Sequence, residues 1–408
     1  MVKMEWYEIV ATVLLVIQIL FLLRMLSHYS DALKKHKRIR GYRPHTVMIV
    51  PCRGLDTYFH ANITSYFQQD YNNYLLWFVV GDKSDPAYAE LKTLKQQLES
   101  SSRAKEVRIL IAGPTQTCSQ KTHNLLHAYN QIDNSIEVMA FADSDAYLRP
   151  DWLSHIVYPL RQDKIGAATG YRWFVPKKNN LASLALSCVN AKVAQLLGNT
   201  RFNQAWGGSM AIRVDTFRLL GLDKMWAKAL SDDYALSRAV KKSGRKIAFV
   251  PACLVASYET MNWTQLFEFA RRQLIITRIS MPGTWWFGLI CTVYSVLGLW
   301  GSAALAIWGP IPRTGRLLMA IVAIVFFLAQ WIRAFARQRM ITRLLERNKE
   351  ALRYSRVADI TFFWGWSILL LVFFIMSAFG KTICWRGIQY KIYGLTEMTV
   401  IDSPKNAE

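Results

Sequence analysis

The apolar positions of this chain fall into two regimes. Near its start, Tyr7 to Leu26 is apolar apart from Glu8, Gln18 and Arg24. At a helical rise of about 1.5 Å per residue this crosses about 30 Å of hydrocarbon. The stretch is long, begins with little positive charge and lacks a small-residue cleavage site, so it predicts a membrane anchor and not a cleaved signal peptide. From His45 the period changes. Thr46 to Val50, Leu75 to Val80, Val107 to Ile111 and Val138 to Ala142 are short apolar runs. Helical segments such as Pro86 to Ser100 and His123 to Asn130 separate them. That alternation predicts buried parallel strands in a doubly wound α/β sheet, whose ligands bind at the carboxyl ends of the strands. Beyond Met281 and Pro282 the long apolar stretches return as Trp285 to Trp308, Leu317 to Ala336 and Ile360 to Phe379. The expected division is an anchor at 1–30, a soluble domain at 31–282, a membrane domain at 283–380 and a basic tail at 381–408.

Charge orients this arrangement. The chain is 52% hydrophobic and carries a formal net charge of +22, but much of the excess lies beside apolar spans. Lys34, Lys35, Lys37, Arg38 and Arg40 follow the anchor directly, which by the positive-inside rule predicts a cytosolic soluble domain. Arg337 to Arg356 holds seven Lys and Arg against Glu346 and Glu350 and reads as a cytosolic loop. A topological account of the charge argues against a nucleic-acid partner. Three C-terminal spans would leave the tail basic residues Lys381, Arg386 and Lys391 opposite the soluble domain, so one stretch is expected to be re-entrant or interfacial. The six cysteines are scattered without a CxxC pair and read as reduced and structural.

Chemistry concentrates at the strand ends. Gly81-Asp82-Lys83-Ser84-Asp85 follows the second apolar run, where a carboxylate can accept hydrogen bonds from a base or ribose, or simply build a turn. Asp143-Ser144-Asp145 follows a later run and offers hard oxygen ligands that suit Mg²⁺ or Mn²⁺ bridging a diphosphate. Ser231-Asp232-Asp233-Tyr234 opens a helical segment. There an aspartate is either a cap or, at Asp233, a general base for an acceptor hydroxyl. Trp206-Gly207-Gly208-Ser209 allows close backbone approach to a ligand, and Arg271-Arg272-Gln273 supplies cations for a departing diphosphate. Leu181 to Leu197 is apolar and helical but short for a span, and is expected near the membrane at the edge of a lipid entrance.

Taken in order, these pieces resemble the family 2 glycosyltransferases, and more narrowly the ceramide glucosyltransferases. Pro51 to Asp56 and Asp70-Tyr71 look like that family's opening, and Gly81 to Pro86 resembles its first aspartate motif. Lys121-Thr122-His123-Asn124-Leu125 looks like its Lys-x-x-Asn-Leu segment, and Trp385-Arg386-Gly387 with Tyr390 looks like its ending. The resemblance implies a sheet of the GT-A type and inverting, metal-dependent transfer of a hexose from a UDP-sugar, with UDP-glucose favoured. The implied acceptor is the hydroxyl of a membrane lipid, with ceramide favoured. Asp82 or Asp85, Lys121, Asn124, Asp143, Arg272 and Gln273 would meet the donor, and Asp143 and Asp145 would hold Mg²⁺ or Mn²⁺. Asp233, beside Asp232, would be the base, and Gly208 and Ser209 would face the acceptor. Gln273 departs from the family, which places Trp there. The resemblance fixes no oligomeric state. A processive polysaccharide synthase, another lipid acceptor such as a hopanoid or diacylglycerol, and a membrane-tethered binding protein are the alternatives.

Overall fold

The computed structural model describes residues 5–36, 41–385 and 387–402. Lys37, Arg38, Arg40 and Arg386 lie outside the described residues. Helix α1 (Trp6–Lys35) covers the expected anchor and continues beyond it. The four apolar runs form β1 (Thr46–Pro51), β2 (Tyr74–Val80), β3 (Glu106–Ile111) and β4 (Val138–Ala142), joined through α2 (Phe59–Phe67), α3 (Pro86–Leu98) and α4 (Gln120–Tyr129). Next come α5 (Trp152–Val157), β5 (Ile165–Pro176), α6 (Leu181–Ala194), β6 (Ser209–Arg213), α7 (Val214–Leu219), α8 (Leu222–Trp226), α9 (Asp232–Lys242) and β7 (Lys246–Glu259).

The seven strands make one sheet in the order β3-β2-β1-β4-β6-β5-β7. It is mostly parallel, but β6 runs antiparallel to both β4 and β5. Both faces are covered, which is why these strands read as unbroken apolar runs instead of alternating ones. Met48, Val50 and Phe78 meet Ile63, Leu91 and Trp152 on one face. Ile49, Trp77 and Val79 meet Leu125, Trp226 and Leu236 on the other.

The chain then passes through α10 (Trp263–Ser280) into α11 (Pro282–Val296), α12 (Ser302–Trp308), α13 (Arg313–Leu344), α14 (Arg353–Thr361) and α15 (Phe363–Ser377). Among the described residues, three helical stretches are long and apolar enough to cross a membrane: α1, Pro282–Trp308 and α13. The fourth apolar stretch is not a straight span, because α14 and α15 meet at 88°. Its two ends lie against the α/β body. Leu352, just before α14, packs with Trp173, and Ile383, just after α15, packs with Leu230 and Ile275. A pair bent this sharply is either a broken span or a re-entrant loop.

One expectation is corrected. Arg337 to Arg356 is not a loop throughout: α13 continues to Leu344, and Arg337 is only 2% exposed. A formal positive charge in sequence says nothing about a buried partner, and Arg337 has one in Asp359. The basic tail is described as far as Asp402. Its described part forms a second sheet, β8 (Thr382–Trp385), β9 (Ile388–Gly394) and β10 (Glu397–Asp402), antiparallel throughout. Ile383, Tyr390 and Ile392 alternate inward against α10 while Lys381 and Lys391 stay outside, so the basic residues line the wet face of a meander.

Candidate functional site

The site is assembled at the carboxyl end of β4, where Asp143 follows the last strand residue. The Tyr66 hydroxyl donates to the carbonyls of Asp143 and Ala146 and pins this turn. Across the gap, Ser119 caps α4, its Oγ accepting from the Thr122 amide at 3.2 Å, and so places Lys121 in the first turn. Lys121 Nζ lies 2.7 Å from Asp143 Oδ1 and 3.5 Å from Asp232 Oδ1. Burial works against this ammonium, but Asp143, Asp232 and Asp233 outweigh it and hold its pKa above the ordinary lysine value. Burial pushes the Asp232 carboxyl up to about 7; Lys121 opposes that shift, and Asp233 and Asp143 reinforce it.

Asp232 and Asp233 open α9, whose cap is Ser231. Asp233 is held from three directions. Its Oδ2 accepts from the Gly207 amide at 3.0 Å, and its Oδ1 accepts from the Tyr234 amide at 2.8 Å and from the Ser231 hydroxyl. The two glycines that precede β6 are required by the closeness of these side chains. A Cβ at Gly207 would stand 2.4 Å from Asp232 Oδ2, and one at Gly208 would stand 2.6 Å from Asp143 Oδ2. These carboxylates, Lys121, Asn124 and Asp145 all line one cavity of about 1190 Å³.

The donor set fits a hard divalent cation. Among the described residues no three His, Cys, Asp or Glu side chains converge into a self-sufficient metal site. Mg²⁺-type sites, however, commonly take one or two carboxylates and complete their shell with substrate phosphates and water. Asp143 and Asp145 present that pair to the cavity, and Asp232 Oδ2 beside them is buried without a hydrogen-bond partner.

Residues 7–396 match glycosyl transferase family 21, which is the ceramide glucosyltransferase family. The chain belongs to this family. It is a glycosyltransferase, and the broader comparison with family 2 drawn from the motifs gives way to family 21. Two solved structures resemble the family 21 chain. A mannosyltransferase from Pyrobaculum calidifontis, in complex with GDP-Man and Mn²⁺, is 15% identical with a TM-score of 0.47 over 91% of this chain and 97% of that one. TarS residues 1–349 from S. aureus, in complex with UDP-GlcNAc, is 11% identical with a TM-score of 0.38 over 88% of this chain and 99% of that one.

The remaining residues singled out in the sequence of this glycosyltransferase occupy different places. Asp85 caps α3, accepting from the Ala87 amide, and also accepts from the Gly54 amide at 2.8 Å. Asp82 accepts from the amide and hydroxyl of Ser84. Both stand at the end of β2 outside the cavity lining, whereas Gln120, against which Gly81 packs, lies within it. Ser209 is fully buried: Trp152 Nε1 donates to its Oγ at 2.9 Å, and its Oγ in turn donates to the Cys253 carbonyl. Arg272 and Gln273 line the cavity from α10, and Arg272 also donates to the Cys384 carbonyl in the tail sheet. Trp385 and Tyr390 of that sheet reach the same cavity.

Helix α6 is mostly buried and packs against α10, α14 and α15. Its Leu186, Val189 and Lys192 border the cavity. Arg172 was missed in the sequence. Its guanidinium sits over Phe174, Trp206 and Phe269 at 4.6, 5.7 and 5.2 Å. No local signal marks it, because the three rings come from β5, the turn before β6 and α10.

Proposed function

We propose that this glycosyltransferase moves a hexose, glucose favoured, from a UDP-sugar to the hydroxyl of a membrane lipid, ceramide favoured, with inversion at the anomeric carbon. The supporting observation is continuity. The cavity that holds Asp143, Asp145 and Asp233 extends without a wall to Thr292 of α11, Gln330 of α13 and Phe373 of α15. A sugar nucleotide from water and an acceptor from the bilayer can meet only in such a space. The domain is read as GT-A in type, and the basic residues flanking the spans support a cytosolic reading of it.

In this reading Asp233 removes the proton from the acceptor hydroxyl as its oxygen attacks the anomeric carbon, and the bond from that carbon to the diphosphate breaks. Its three hydrogen bonds fix the carboxylate for that transfer. Asp143 and Asp145 would hold Mg²⁺ or Mn²⁺, which supplies Lewis-acid stabilisation of the leaving UDP. Lys121 and Arg272 add positive charge on the leaving-group side, Asn124 in the cavity wall orients the nucleotide, and the turn at Gly208 faces the acceptor. One displacement gives one product, so no covalent sugar intermediate is required.

The test is mass spectrometry of lipids from membranes carrying the chain, with each UDP-sugar supplied in turn. One hexose per lipid is expected. Chains of many sugars would establish a processive synthase instead. Asp233→Asn is expected to lower kcat by about 10²-fold or more while donor KM stays near that of the parent; unchanged turnover would remove Asp233 as the base.

A further inference from the structure

The membrane-side half of the cavity is cationic. Lys192 from α6 and Arg333 and Arg337 from α13 all line it. Among the described residues, Arg337 is the one of the three in a direct ion pair. Its guanidinium pairs with Asp359 and donates to Gln195 at 3.1 Å, while Gln338 also donates to Asp359 at 2.7 Å. Asp359 is thereby fully committed. Lys192 Nζ donates only to the neutral Ser367 hydroxyl, at 2.8 Å. Arg333 is 5% exposed, stacks 4.5 Å from the Phe21 ring, and has a buried Nε with no hydrogen-bond partner. Among the described residues neither Lys192 nor Arg333 forms an ion pair. Two cations without a counter-ion in such surroundings are unfavourable unless something anionic joins them.

Depth narrows the choice of anion. Arg333 stands at the end of the apolar part of α13, one turn before Arg337, and Met340 and Ile341 beyond it pack into the α/β body against Trp173. On α1, Phe21 precedes Met25 and Tyr29, which enter the same cluster. Lys192 and Arg333 therefore lie where spanning helices meet the soluble body, the level of lipid headgroups. The neighbouring Phe373 and Phe374 are apolar and suit acyl chains, not a nucleotide.

We propose that Lys192 and Arg333 form a subsite for the phosphate of an anionic membrane phospholipid, seated beside the path of the sugar acceptor. The guanidinium offers the fork that phosphate oxygens match, and the ammonium offers a point charge in the same cavity. Without the anion, burial, aided by the Arg337 charge, pushes the Lys192 ammonium down to about 7. The subsite rests on the membrane placement of α1 and α13 and not on the identity of the sugar or acceptor.

The experiment is native mass spectrometry of the full chain released from nanodiscs of phosphatidylcholine alone or with phosphatidylglycerol added. The parent is expected to retain phosphatidylglycerol selectively. Arg333→Gln and Lys192→Met are each expected to reduce that retention about tenfold, a loss of about 1.4 kcal/mol. Arg339→Gln and Arg343→Gln, both exposed on the same helix, should leave it unchanged. Arg333→Lys keeps the charge and should retain most of the adduct. If Arg333→Gln does not fold, Lys192→Met still decides the matter. Equal retention by the parent and Lys192→Met would overturn the subsite. Displacement of the retained phosphatidylglycerol by inorganic phosphate in the mixed discs would overturn its assignment to a lipid. Because the readout is binding, failure here leaves the transfer reaction untouched, and failure of transfer leaves this result standing.

Discussion

Replacing Gly207 with alanine tests the site geometry directly. Gly207 is not among the glycines with positive φ, so alanine suffers no backbone penalty there, and the whole effect arises from contact. The added Cβ would stand 2.4 Å from Asp232 Oδ2 and 2.8 Å from Lys121 Nζ. Ordinary carbon–oxygen contact begins near 3.4 Å, so the Asp232 carboxylate must retreat by about 1 Å or the glycine backbone must move by as much. Asp232 is 2% exposed and heads α9, leaving little room. A retreat separates it from Lys121, and a backbone shift breaks the amide hydrogen bond to Asp233. Overpacking of this kind destabilises by about 1–3 kcal/mol, and a 1 Å misplacement of reacting groups lowers kcat by about 10²-fold. The comparison is Gly283→Ala in the first turn of α11, where nothing lies within 4 Å of the new atom and helix propensity favours alanine by up to about 1 kcal/mol. Both variants would be assayed for sugar transfer and for Tm. If Gly207→Ala keeps kcat within about threefold of the parent at unchanged Tm, the crowding at this turn is not functional.

Other outcomes follow from the same geometry. Arg337→Met leaves the buried Asp359 uncompensated and should destabilise by about 3–5 kcal/mol, whereas Arg337→Met with Asp359→Leu should recover most of that loss; thermal unfolding of both decides whether the pair is a structural unit. Chelation by EDTA should abolish transfer and added Mn²⁺ or Mg²⁺ should restore it, while Asp143→Asn raises the metal concentration required; activity that survives exhaustive chelation would refute the metal assignment. Ile392→Ala removes a fully buried side chain of the tail sheet packed with Leu230 and Ile275 and should destabilise by about 2–5 kcal/mol. Since Leu230 immediately precedes the cap of α9, kcat should fall as well, and a change in Tm alone would show that the sheet only braces the fold.

How far the sequence could be read depends on the range over which each signal acts. The runs at β1, β2 and β4 were legible because a strand buried on both faces must be apolar at every position, a property of a few consecutive residues; β3, at the sheet edge with Arg108 exposed, still shows its apolar residues locally. Strand β6 was not, because Ser209–Arg213 begins and ends on a polar residue and is held by antiparallel partners from β4 and β5 far along the chain. The acidic clusters were legible because strand-end chemistry is local; the separate environments of Asp232 and Asp233 were not. Only the fold shows that one faces Lys121 while the other is held by the Gly207 amide. Charge behaves the same way at the membrane. Arg337 reads in sequence as one more topological cation among its neighbours. In space it belongs with Asp359, Gln195 and Gln338, and Arg333 one turn earlier belongs with Phe21 and the cavity. A basic residue at a helix end thus has two physical explanations, a solvated flank or a buried cation awaiting a counter-charge, and burial rather than position in the chain separates them. By that criterion Arg339 and Arg343 are solvated flanks, while Arg333 is a buried cation.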